Sequence, residues 1–273
     1  MRSQAVAWWH TSLRAAAVLN IVLWSLAALT VARSRNAAPL AADAGDLQLV
    51  LSAGYVAGCA YRCFLPVVDI PRLVLVDSPL SSVLVGRSVA TVAELCFAAQ
   101  WALLLYRMAA LSGSPFGEAV ALALLPLIVL AEGCSWYAVL TTRQIAHALE
   151  NSLWGLSAAL LVAALLAMGT QRFPVLSACA IAGGALYVAF IFAYDVPMYW
   201  ARWRADQARG RRYPSLADGW IDVRRRWTVS RRWEDWKDEV AWMSLYFTFG
   251  VWSSIGIACA SWAVGHGDSA IGG

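Results

Sequence analysis

Long apolar blocks alternate with short polar segments along most of this chain. A helix that crosses a bilayer needs about 20 mostly apolar residues. Seven blocks reach that length, at residues 14–32, 47–67, 83–108, 117–140, 147–168, 174–196 and 240–264. The pattern predicts an all-α integral membrane protein with about seven transmembrane helices in one bundle. We expect residues 1–273 to form a single polytopic membrane domain.

The composition supports this class and excludes several others. The 273 residues are 60% hydrophobic and only 14% charged, whereas soluble domains carry about 25% charged residues. The only lysine, Lys237, lies in a charged connector and not in the last apolar block. This excludes a retinal photoreceptor, which needs a lysine in its last membrane helix. Three histidines are too few for a histidine-rich desaturase or for two bis-histidine haems.

Two connectors are longer than the others. The first, 62–86, contains Pro66, Pro71, Pro79 and the apolar stretch LVLV, which predicts a segment that lies at the membrane interface or re-enters it. The second, 197–239, holds 11 of the 21 basic residues and six of the 15 tryptophans. It predicts an amphipathic segment on the inner leaflet, with docking of a protein partner as the alternative. Its interspersed acidic residues argue against binding of nucleic acid.

The charge of the second connector predicts the orientation of the chain. Loops rich in lysine and arginine stay in the cytoplasm, so the 197–239 connector is expected there. Counting back through seven spans places the N-terminus in the cytoplasm and the C-terminus outside. The first block is longer than the apolar core of a signal peptide, so we expect a retained anchor. The expected location is the cell membrane, plasma or inner.

In this topology the acidic residues and the histidine in or next to the blocks fall within the cytoplasmic half of the bundle, apart from residues near the outer ends such as Glu118. Such groups are costly inside a membrane and usually mark a functional site. They are Glu94, Glu132, His147, Glu150, Asp195 and Glu239. Because they come from five different spans, they predict a polar cavity that opens to the cytoplasm.

The stretch IAHALENSLWG at residues 145–155 predicts one wall of this cavity. Glu150 and Asn151 follow His147 by three and four residues, and Trp154 follows it by seven. A helix places all four side chains on one face.

Two other blocks carry similar stripes. Glu132 and Trp136 share a face of the fourth block, and Arg87 and Glu94 share a face of the third. Two helical turns separate Arg87 from Glu94, so we expect Arg87 to find its partner on another helix. Arg62 and Arg87 are candidates for holding a phosphate or carboxylate group.

These positions define the candidate site. The candidate catalytic residues are Glu94, Glu132, His147 and Glu150, followed by Asn151 and Asp195. The candidate substrate-binding residues are Arg62, Arg87, Trp136 and Trp154. A metal ion at the carboxylate and histidine cluster is a weaker expectation, because di-iron bundles use Glu-x-x-His and this chain has one pair in the reverse order. Membrane lipid and an anionic or amphiphilic small molecule are the expected partners.

Three functional classes use such a site. We favour a membrane-embedded enzyme that acts on a lipid or other amphiphilic substrate, because a histidine near carboxylates can act as a general acid and base. A proton-coupled transporter or channel is the alternative, although the chain has no internal repeat. A seven-helix sensor or assembly subunit is the third class, by analogy of architecture alone. An arginine–glutamate network that only holds the bundle together would use the same residues.

Overall fold

The computed structural model describes residues 2–34, 42–169 and 173–267. The helices are α1 (Arg2–Ser34), α2 (Ala42–Phe64), α3 (Val83–Ser112), α4 (Pro115–Thr141), α5 (Gln144–Met168), α6 (Pro174–Phe190), α7 (Val196–Ala208), α8 (Leu216–Arg225), α9 (Trp233–Leu245) and α10 (Val251–Gly267). The short strands are β1 (Val67–Val68), β2 (Leu73–Val74) and β3 (Thr228–Val229). A π-helical turn at Ile191–Asp195 joins α6 to α7, and another at Tyr246–Gly250 joins α9 to α10.

Six helices in the described part of the chain are long and apolar enough to cross a membrane. They are Gln4–Arg33, Val83–Ser112, Pro115–Thr141, Gln144–Met168, Pro174–Ala208 and Trp233–Ser261. They confirm an all-α architecture and indicate an integral membrane protein. The predicted count of seven is not confirmed, because α2, which contains most of the predicted 47–67 block, is not among the six. Polar residues such as Gln48, Ser52 and Arg62 make α2 less apolar than the others.

The sixth long helix extends further than its sequence pattern predicts. The predicted block ends at residue 196, whereas the helix continues through the π turn at Ile191–Asp195 and on to Ala208. Pro197 lacks an N–H group and would usually end or kink a helix, but here the helix continues through it, directly after the π turn. The polar connector therefore begins only after Ala208.

The chain divides into two compact units, Met1–Gln100 with Val223–Gly273, and Trp101–Asp222. The core of the first unit is formed by buried apolar side chains of α1, α2, α9 and the helix that follows α9, including Trp9, Tyr55 and Trp236. The single-domain organisation stays a prediction.

Small residues let α2 and α3 approach each other closely in the first unit. Gly54 and Gly58 form a Gly-x-x-x-Gly pattern. A Cβ atom on Gly58 would lie 2.6 Å from the Cβ atom of Ala93, and one on Gly54 would lie 2.8 Å from Sγ of Cys96. No larger side chain fits at these contacts, and this is how membrane helices commonly pack.

An uncharged hydrogen-bond network joins three helices in the core of the first unit. Nε2 of Gln100 in α3 donates to the carbonyl groups of Gln48 in α2 at 3.2 Å and Ser254 in α10 at 3.1 Å. Oγ of Ser254 lies 2.6 Å from Oε1 of Gln100 and 3.0 Å from Oγ of Ser52. All four side chains are buried, so the polar residues of α2 have partners within the protein.

The two long connectors meet in a three-stranded sheet of the first unit. Strand β2 pairs antiparallel with β1 and parallel with β3, and the sequence pattern did not predict these strands. Trp236 is completely buried and donates to the carbonyl of Ser230 at 2.9 Å. Burial lowers the pKa of the Arg72 guanidinium beside the sheet, and the charge of Arg226 lowers it further. The tryptophan-rich connector is thus partly packed into the protein rather than lying wholly on a lipid surface.

Glycines also permit close contacts in the second unit, where α5 packs against α4, α6 and α7. A Cβ atom on Gly155 of α5 would lie 2.8 Å from the ring of Phe192 and 2.9 Å from Ile191. The π turn can therefore lie directly against α5. A Cβ atom on Gly219 of α8 would lie 2.1 Å from the carbonyl oxygen of Leu140, near the end of α4.

Candidate functional site

Glu94 of α3 lies in an ion-pair cluster of the first unit. Nη2 of Arg87 donates to Oε2 of Glu94 at 2.6 Å, and Nη1 of Arg87 lies 3.9 Å from Oδ2 of Asp69. The prediction that Arg87 would not bind Glu94 on its own helix is wrong. Two helical turns measure about 10.5 Å along the axis, and two long side chains that lie along one buried helix face span this distance together.

Tyr246 extends this cluster to the last long helix of the first unit. Its hydroxyl donates to Oε1 of Glu94 at 3.3 Å, and it is the first residue of the π turn at Tyr246–Gly250. Nδ2 of Asn20 donates to the carbonyl of Phe247 at 2.7 Å and so satisfies an acceptor within this turn. Tyr246 is missing from the predicted site residues, although its helical spacing from the acidic Glu239 was a sequence signal for it.

A small cavity adjoins Glu94. It is lined by Gly58, Cys59, Arg62, Ala90, Ala93, Glu94, Tyr246 and Phe247. Nη2 of Arg62 donates to the carbonyl of Val67 at 2.9 Å, so this side chain holds the segment that follows α2 as well as lining the cavity. The role of Arg62 as a holder of anions stays a prediction.

His147 and Glu150 of α5 form a close pair in the second unit. Nδ1 of His147 lies 2.6 Å from Oε2 of Glu150, and both side chains are largely buried. An ionised carboxylate only accepts, so a hydrogen bond at this contact requires a hydrogen on Nδ1. In that tautomer of the neutral ring, Nε2 would be the basic nitrogen. Nδ2 of Asn151 donates to the backbone carbonyl of His147 at 2.9 Å, so the amide of Asn151 bonds its own helix.

Glu132 of α4 lies beside this pair. One of its carboxylate oxygens is within 4.8 Å of a carboxylate oxygen of Glu150, and the residue is only 4% exposed. Two carboxylates at this spacing can bind one cation together. The metal ion nevertheless stays a prediction.

Asp195 and Tyr199 complete the surroundings of the histidine. Asp195 is the last residue of the π turn at Ile191–Asp195, and its charge interacts with those of Arg202, Glu150 and His147. The rings of Tyr199 and His147 are 5.1 Å apart and tilted by 35°. Because Tyr199 follows Asp195 by four residues, one face of this helix supplies both groups.

The structure thus brings Glu132, His147, Glu150 and Asp195 together in the second unit. Arg62, Arg87 and Glu94 lie in the first unit. The predicted convergence of both sets on one cavity stays a prediction. Trp136 and Trp154 lie on α4 and α5 of the second unit and are half-buried.

Each unit contains a π-helical turn next to a carboxylate. In the first unit the turn begins with Tyr246, which bonds Glu94, and in the second unit the turn ends with Asp195. Single π turns within α-helices occur frequently at functional sites, because the extra residue changes the direction of a side chain.

The comparisons with known proteins identify no relative. The chain matches no protein-family model, no curated protein and no solved structure. A function must therefore be inferred from the chemistry of the described side chains.

Proposed function

We propose that this chain is a membrane-embedded enzyme that performs acid–base chemistry on a lipid or other amphiphilic substrate. The observation that carries the proposal is the 2.6 Å contact between Nδ1 of His147 and Oε2 of Glu150. A histidine that is oriented by a carboxylate is a common form of general base. It lies on a helix long and apolar enough to cross a membrane, which favours a substrate that is itself soluble in the membrane.

The chemistry follows from the neighbours of the histidine. In the proposed reaction, Nε2 of His147 takes a proton from the substrate while the carboxylate of Glu150 stabilises the imidazolium that forms. A proton then returns to the product from the imidazolium of His147, or from a protonated Glu132, which in that case takes up the proton held by His147 to restore the starting state. The ring of Tyr199 lies against the imidazole and limits access of water to it. Asp195 lies within electrostatic range of His147 and Glu150.

We further propose that α2 is a seventh membrane span, with the N-terminus in the cytoplasm and the C-terminus outside a cell membrane. The helix has 23 residues, which is enough for a crossing of about 20 residues. Its polar residues Gln48 and Ser52 are engaged in the buried network with α3 and α10, so they need no contact with lipid. The basic 197–239 connector supports the cytoplasmic side for the N-terminus.

The enzyme proposal is tested by product formation from lipids. Purified protein in detergent is incubated with a total lipid extract of the producing cells, and new species are sought by mass spectrometry. We expect products with the wild type that are absent with His147→Gln and at least about 100-fold reduced with Glu132→Gln, as is typical for loss of a general base or acid. Glu118→Gln, at the far end of α4, serves as a matched control and should retain the products. Wild-type product levels in both His147→Gln and Glu132→Gln would refute the proposal.

A proton-coupled transporter is the second candidate. The observation in its favour is that two long helices each contain a π turn beside a carboxylate, and transporters place their sites where helices are interrupted. Protein reconstituted into vesicles that contain a pH-sensitive dye distinguishes the two candidates. Proton flux that is lost in His147→Gln, without new lipid species in the first assay, would favour the transporter.

A further inference from the structure

The ring of Tyr213 in the second unit has two arginines near it. The Cζ atom of Arg143 is 5.1 Å from the centroid of the tyrosine ring, and that of Arg211 is 5.8 Å from it. Arg211 also pairs with Asp206 at 3.0 Å, and its Nη2 lies 3.3 Å from Oγ1 of Thr142. Two guanidinium groups and one carboxylate around a single ring leave a net positive charge at the turn between α4 and α5.

Within the described residues, Arg143 pairs with no carboxylate. It is exposed, and its guanidinium lies over the ring of Tyr213 in a cation–π contact. This contact uses no N–H group of the guanidinium as a hydrogen-bond donor to a carboxylate, so these groups are available for a phosphate or carboxylate, which they bind in pairs.

The hydroxyl of Tyr213 points to the same chemistry. Its oxygen is buried and makes no hydrogen bond to any residue that the structure describes. A buried hydroxyl without an acceptor costs free energy. An anion held by Arg143 and Arg211 would provide that acceptor.

The positions of Arg143 and His147 along the chain relate the group of Arg143, Arg211 and Tyr213 to the proposed catalytic histidine. The turn joins Pro115–Thr141 to Gln144–Met168, two helices of membrane-spanning length, so Arg143 lies at the level of lipid headgroups. His147 is four residues further along α5, which is about 6 Å deeper in the membrane. A headgroup bound at Arg143 would therefore place the first bonds beyond it beside the imidazole.

We propose that Arg143, Arg211 and Tyr213 bind the anionic headgroup of the amphiphile whose reacting atoms reach His147. The group recognised is a phosphate or carboxylate oxyanion, and the favoured source is a membrane lipid. This inference rests on the proposed function and names the substrate class of that site. The reacting position of the substrate lies about 6 Å from its charged end.

Binding of a defined lipid tests the inference. The full-length protein in neutral detergent is titrated with dioleoyl phosphatidic acid and, in a separate arm, with inorganic phosphate, and complexes are counted by native mass spectrometry. We expect saturable binding of phosphatidic acid that Arg143→Gln and Tyr213→Phe each weaken by about tenfold, as for loss of a hydrogen bond to a charged group. Arg209→Gln removes an exposed arginine at the end of α7 and should bind like the wild type.

Other results of the binding measurement would overturn the proposed site or its lipid source. Wild-type affinity in both Arg143→Gln and Tyr213→Phe would overturn the site, and an equal loss in Arg209→Gln would reduce it to general surface charge. Binding of inorganic phosphate without binding of phosphatidic acid would overturn the lipid source. Arg143→Lys keeps the charge without the paired geometry and should show an intermediate affinity, which separates recognition from misfolding. His147→Gln should bind phosphatidic acid normally, so failure of the acid–base proposal leaves this measurement intact.

Discussion

Replacement of Glu94 by glutamine tests the buried ion pair of α3. Arg87 and Glu94 are 2.6 Å apart, with side-chain exposures of 5% and 13%. Loss of one partner from a buried pair typically costs about 3–5 kcal/mol, because the other charge stays buried. Asp69 remains 3.9 Å from Arg87, and the glutamine amide keeps an acceptor oxygen. We therefore expect a loss of about 3 kcal/mol in the free energy of unfolding.

The measurement is thermal unfolding of the detergent-solubilised protein, followed by near-ultraviolet circular dichroism. About 2–4 °C per kcal/mol is usual for a protein of 150–250 residues, so Glu94→Gln should lower the midpoint by about 6–12 °C. The control Asp69→Asn weakens only the longer contact at 3.9 Å, leaves Arg87 paired with Glu94, and should cost less than Glu94→Gln. The double variant Arg87→Met with Glu94→Leu removes both charges of the pair, but it leaves Asp69 without Arg87 and the hydroxyl of Tyr246 without Glu94. Its midpoint should therefore lie between those of Glu94→Gln and the wild type.

Two results would refute this reasoning. A Glu94→Gln midpoint within about 2 °C of the wild type would mean that water screens the pair, contrary to its burial. A double variant that is as unstable as Glu94→Gln would mean that lost packing, and not an uncompensated charge, causes the effect.

Two further substitutions test the packing of each unit. Gln100→Leu removes both donors to the carbonyl groups of Gln48 and Ser254 and should cost about 2 kcal/mol, measured by the same thermal unfolding; an unchanged midpoint would contradict the network. Gly219→Ala brings a Cβ atom to 2.1 Å from the carbonyl oxygen of Leu140, so α8 must shift. We expect faster tryptic cleavage between residues 209 and 226 in this variant, and an unchanged cleavage rate would contradict the contact.

The apolar pattern predicts most of the long helices, because a membrane helix must be apolar along its whole length. It also predicted a span at 47–67, but α2 is not among the six helices apolar enough to cross, because it carries polar residues such as Gln48 and Ser52, whose partners appear only in the tertiary structure. The pattern placed the end of the sixth helix at residue 196, just before Pro197. The helix continues to Ala208, because a proline does not end a helix in every position. The strands were missed because two-residue segments have no periodicity and pair with distant parts of the chain.

The contacts of the candidate site were likewise predicted only in part. Helical spacing predicts the contact between His147 and Glu150, because both residues lie on one regular helix. Helical spacing also places Arg87 and Glu94 on one face. Their contact was not predicted, because the distance that two long side chains can span together was underestimated. Tyr199 and Tyr246 were not chosen as site residues, although helical spacing places Tyr199 on a face with Asp195 and Tyr246 on a face with Glu239. What the sequence did not predict is the π turn beside Tyr199 and the π turn that begins at Tyr246. Such turns leave no mark in the pattern of apolar residues.

The network around Gln100 has a consequence for how the chain is made. Gln48 of α2 and Gln100 of α3 leave the ribosome early, whereas Ser254 of α10 is synthesised near the end. Until α10 joins them, Gln100 lacks the Ser254 contacts that complete its hydrogen bonding. A marginally apolar helix inserts into the membrane more readily when neighbouring helices accept its polar groups. A chain truncated before α10 would keep the contacts between Gln48 and Gln100 but would leave Oε1 of Gln100 without the hydroxyl of Ser254.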